Sequence, residues 1–72
     1  MNPNRAPAEK ARYHAALVCF QQTEADFRQV VHAYKHGRVD AAFFLAARAY
    51  VTAAGLALDL ATVELVEAAT AP

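Results

Sequence analysis

Tyr13, Phe20, Phe27 and Tyr34 stand seven residues apart, four aromatics in one heptad position. A step of seven brings a side chain back to nearly the same side of an α-helix. The ladder therefore predicts a long helix with one face committed to packing. Ala16 and Leu17, Thr23 and Glu24, and Val30 and Val31 fall between the aromatics. They widen the stripe into a seam broad enough to meet a core. His14, Gln21, Ala25, Arg28, His32 and His36 gather on the opposite, polar face.

A second set of ladders follows. Phe44, Val51, Leu58 and Leu65 repeat at seven, and Ala47, Ala54, Ala61 and Ala68 repeat at seven beside them. A further stripe holds Phe43, Tyr50 and Ala57 with Ala46, Ala53 and Leu60. Polar residues are confined to one narrow strip, Arg48, Thr52, Gly55, Asp59 and Thr62. A helix that is apolar around most of its circumference is expected to be buried on most sides. Periodicity alone does not choose which of its two stripes meets the first helix and which meets another chain.

Local signals set the boundaries. Residues 1–6 carry Asn2, Pro3 and Asn4 and read as a loose tail. Pro7 suits the first turn of a helix, where a missing N–H costs nothing, and Glu9 favours its positive end. The first helix is expected over residues 7–36. Gly37 is placed to end it in a left-handed conformation, with Lys35 and His36 in the last turn. After a turn over residues 37–39, Asp40 is a candidate N-cap. Val39 and Phe44 can form a hydrophobic staple around it. The second helix then runs over residues 40–69. Thr23 with Asp26 also fits a helix-start pattern, so a break near Gln22 that gives three shorter helices is the alternative. No second copy appears at a 34-residue period, which excludes a tandem helical repeat.

The expected fold is all-α: a hairpin of two long antiparallel helices in a single domain over residues 7–72. At 72 residues, with 57% apolar residues, one hairpin cannot cover its second helix, and a monomer this small is marginal. The expectation is a homodimer that completes a four-helix bundle, with Phe44, Ala47, Val51, Ala54, Leu58, Ala61 and Leu65 at the dimer interface. A bundle completed by an unrelated protein is the competitor.

Chemistry is sparse. Lys and Arg total seven, as do Asp and Glu, so overall charge offers no polyanion signal. Cations dominate before Val39 and anions after it, an asymmetry that pairs two helices or marks a basic face. Lys10, Arg28, His32, Lys35 and Arg38 are the candidate residues for contact with an RNA or DNA backbone. His32 and His36 have chelating spacing, but no third ligand is near: His14 lies about 27 Å back along the helix. No metal or other cofactor is expected. Arg28 and His32 read as a surface pair rather than catalytic groups, and no enzymatic activity is expected. Arg48 and Asp59 could set the register of a dimer from an otherwise apolar seam. Cys19 stands alone between Val18 and Phe20, which excludes a disulfide framework and reads as a packed thiol in the cytoplasm. No charged segment followed by an apolar run opens the sequence, so no secretory signal is expected. Residues 41–58 approach the length of a membrane span, but alanine dominates them and Arg48 sits near their centre. No span is expected. The function expected is a small interaction or regulatory adaptor that binds another protein, with a nucleic-acid-binding regulator as the alternative.

Overall fold

The computed structural model describes residues 6–72. The tail expected over residues 1–6 lies, apart from Ala6, outside the described residues. Helix α1 spans Pro7–Lys35 and helix α2 spans Ala41–Thr70. They pack against each other as an antiparallel hairpin 55 Å long and 15 × 12 Å across. No break interrupts α1 near Gln22. There the Thr23 hydroxyl donates back to the Cys19 carbonyl at 2.7 Å, so it is used inside the helix instead of starting a new one.

The ends form as their residues dictate. Pro7 opens α1, and Ala6 before it sits in the left-handed region at φ 59° with no side-chain cap. Gly37 takes φ +70°. Its N–H donates to the Tyr34 carbonyl at 3.0 Å and the Arg38 N–H to Ala33 at 2.9 Å, which satisfies carbonyls left free at the end of α1. Asp40 caps α2, its Oδ1 accepting from the Phe43 N–H at 2.8 Å.

The seam uses the aromatic ladder of α1. Tyr13, Phe20, Phe27, Leu17, Val30 and Val31 are half-buried. From α2 come Phe44, Val51, Leu58 and Leu65 with the alanine column beside them. Near the turn, the Phe44 ring packs against Phe27 at 5.5 Å and stacks on Tyr34 at 4.8 Å between centroids. At mid-length, Gly55 lies under Phe20. The seam is thin: among the described residues only Ala61, at 8% exposure, is buried, and no large side chain is fully covered.

Candidate interaction surface

The seven residues expected between two chains, Phe44, Ala47, Val51, Ala54, Leu58, Ala61 and Leu65, all lie on the side of α2 turned toward α1 of the same chain. Their first contact is within the hairpin. The other apolar stripe is the one left open. On it Phe43, Tyr50 and Leu60 are each more than half exposed, and Tyr50 reaches 73%; Leu45, Leu56, Val63 and Val66, also more than half exposed, lie on the far side of α2. The sequence could not separate the stripes because both are apolar and both repeat at seven. The choice rests on which side chains α1 can interleave. The Phe44 ring fits between Phe27 and Tyr34, while Phe43, one residue earlier, points about 100° away.

Two shallow grooves run between the helices. One, of about 250 Å³, lies toward the turn and is lined by Thr23, Asp26, Phe27 and Val30 of α1 and Ala47 and Tyr50 of α2. The other, of about 390 Å³, lies toward the open end, where α1 begins and α2 finishes. Its lining is Arg12, Ala15 and Ala16 with Ala57, Leu60, Ala61 and Glu64. Both open on the same side of the hairpin, because their linings repeat in steps of seven: Ala16, Thr23 and Val30 on α1, and Tyr50, Ala57 and Glu64 on α2. At the rim of the alanine-lined groove Arg12 Nε stands 3.7 Å from Glu64 Oε2, an ion pair that ties the two helices. Both partners are partly exposed, so the pair contributes under about 1 kcal/mol.

Cys19 occupies the heptad position shared by Arg12 and Asp26, on the grooved side. Its thiol is exposed, which corrects the expectation of a packed thiol. The polar side chain of Thr23, not an apolar neighbour, lies beside it, with Sγ 4.0 Å from Oγ1.

The basic residues are distributed unevenly. Arg28 and Lys35 are one heptad apart, His32 lies between them, and Arg38 follows in the turn; all are exposed. Arg28 is already engaged by Glu24 at 2.8 Å. Lys10 sits about 27 Å from Arg28 along α1 and does not join this cluster. The His32 and His36 rings are 4.4 Å apart, and no group of three metal-ligating side chains occurs among the described residues. Arg48 and Asp59 are both exposed on α2. By length and composition α2 is long and apolar enough to cross a membrane, with a mean hydropathy of 1.6 over its best window and none of that window buried in the chain.

No protein-family model matches the chain, and no curated protein or solved structure matches it. The surface itself is therefore the only guide to function.

Proposed function

We infer that this chain is a non-catalytic interaction module: a helical hairpin that pairs with a second helical surface and acts as a homodimeric four-helix bundle, the form in which it docks on another protein. One observation carries the reading. Among the described residues only Ala61 is buried, while seven large apolar side chains of α2 stand more than half exposed. The grooves are open, and alanine supplies four of the seven residues that line the one at the open end, which suits packing better than chemistry. A chain with one exposed thiol suits a reducing compartment, in keeping with a cytoplasmic location.

The test is the mass in solution, by size-exclusion chromatography with light scattering across a hundredfold dilution. A species of twice 7.8 kDa is the expected result. A helical monomer that persists undiluted and concentrated alike overturns the reading.

The nucleic-acid alternative rests on Arg28, His32, Lys35 and Arg38 at the turn end. It predicts a salt-dependent mobility shift with RNA or DNA that Lys35→Ala weakens. Arg28 is partly neutralised by Glu24, and the turn end also carries Asp26 and Asp40, so this reading has less behind it.

A further inference from the structure

We propose that the occupant of the grooved face is a second copy of this chain, laid antiparallel, with Tyr50 of each copy seated in the alanine-lined groove of the other. The proposal rests on the homodimer reading and names its face and register. Three observations converge on it. The first is shape. Among the described residues Tyr50 is the most exposed large apolar side chain, at 73%, and the groove at the open end has a floor of Ala15, Ala16, Ala57 and Ala61 with Arg12, Leu60 and Glu64 also lining it. A large knob and a small-residue hole on one face are self-complementary, the requirement of a two-fold interface.

The second is register. Gly55 follows Tyr50 by five residues and precedes Leu60 by five. A two-fold axis crossing the hairpin at Gly55, at right angles to the helices, exchanges the heights of Tyr50 and Leu60. It carries Tyr50 into the partner's alanine-lined groove and Leu60 to the partner's groove beside Thr23 and Phe27. A parallel arrangement instead sets Tyr50 against Tyr50. The third is charge. Among the described residues the turn end holds four cations and three anions: Arg28, Lys35, Arg38 and Arg48 against Glu24, Asp26 and Asp40. The open end holds two against four: Lys10 and Arg12 with Glu9, Asp59, Glu64 and Glu67. Antiparallel copies bring unlike ends together and parallel copies bring like ends together.

The experiment compares the full chain with three variants by light scattering and sedimentation equilibrium. Tyr50→Ala removes the knob. Ala57→Leu fills the hole from an exposed position that the hairpin tolerates. Leu45→Ala trims a large apolar side chain, 56% exposed, outside the grooved face. The first two should weaken dimerisation at least tenfold and Leu45→Ala by less than twofold. The wild-type thiol gives a readout that needs no variant to fold. The antiparallel register brings the two Cys19 residues within one helical turn along the axis, on helices whose axes would lie about 8–10 Å apart. A short bismaleimide should therefore link two copies, and Cys19→Ser should abolish the link. A dimer that ignores Tyr50→Ala and Ala57→Leu, or that fails to cross-link, overturns the proposed face while leaving dimerisation in place. A wild-type monomer overturns both. A monomer that sediments with phosphatidylcholine vesicles, and no longer does so as Tyr50→Ala, assigns the face to lipid and overturns the second copy as its occupant.

Discussion

The two glycines are the sharpest case of one residue type in opposite roles. Gly37 sits at φ +70°, with nothing within 4 Å of where a Cβ would stand. Space is free there and backbone conformation is the constraint: an L-residue in the left-handed region costs about 1–2 kcal/mol. Gly55 is helical, and a Cβ there would meet the Phe20 ring edge at 3.4 Å and 3.8 Å, ordinary contact. Alanine is favoured over glycine inside a helix by about 0.8–1 kcal/mol. Gly37→Ala should therefore destabilise the protein by about 1 kcal/mol or more, and Gly55→Ala should stabilise it by up to about 1 kcal/mol. Urea denaturation of the two variants at one fixed protein concentration checks the opposite signs. Destabilisation by Gly55→Ala would mean that Phe20 cannot give way, or that a partner helix approaches Gly55 closely.

At the scale of the element, each helix depends on a few positions. Asp40 provides the side-chain cap of α2, and removing such a cap costs about 0.5–2 kcal/mol. Asp40→Ala should lower stability by about 1 kcal/mol, and Asp40→Asn should recover most of it, since the amide oxygen still accepts from the Phe43 N–H. Phe44 anchors the seam by packing on two rings. Phe44→Ala removes both ring pairs and leaves a hole, for roughly 2–4 kcal/mol, whereas Phe43→Ala should leave hairpin stability nearly unchanged. Thermal melts followed by circular dichroism separate the neighbouring pair. These elements were legible in the sequence: the aromatic ladder placed the seam of α1, and Gly37 and Asp40 placed the turn. The partner of each α2 stripe was not. Alternation between apolar and polar residues is what tells an inner face from an outer one. Around Phe43, Tyr50 and Leu60 that contrast is missing, because the outer face is as apolar as the inner one. Cys19 was misplaced for a related reason: apolar neighbours along the chain point to different sides of a helix and say little about burial.

At the scale of the whole molecule, the proposed pairing would tie stability to association. If folding is completed by pairing, the free energy of unfolding per dimer grows by RT ln of the concentration ratio, about 2.7 kcal/mol for a hundredfold increase. With the unfolding entropy ordinary for a 144-residue assembly, that raises the melting temperature by roughly 6–10 °C. The same protein melted at about 2 and 200 µM should show this shift. Tyr50→Ala should reduce it toward zero, while Asp40→Ala should lower both melts and keep the shift, because the cap belongs to the hairpin and the tyrosine to the pair. A melting temperature independent of concentration in the wild type, with full helicity at both ends of the range, would mean that the half-buried seam of Phe20, Phe27 and Phe44 holds the hairpin unaided. The open stripe of α2 would then be surface kept for a partner other than itself.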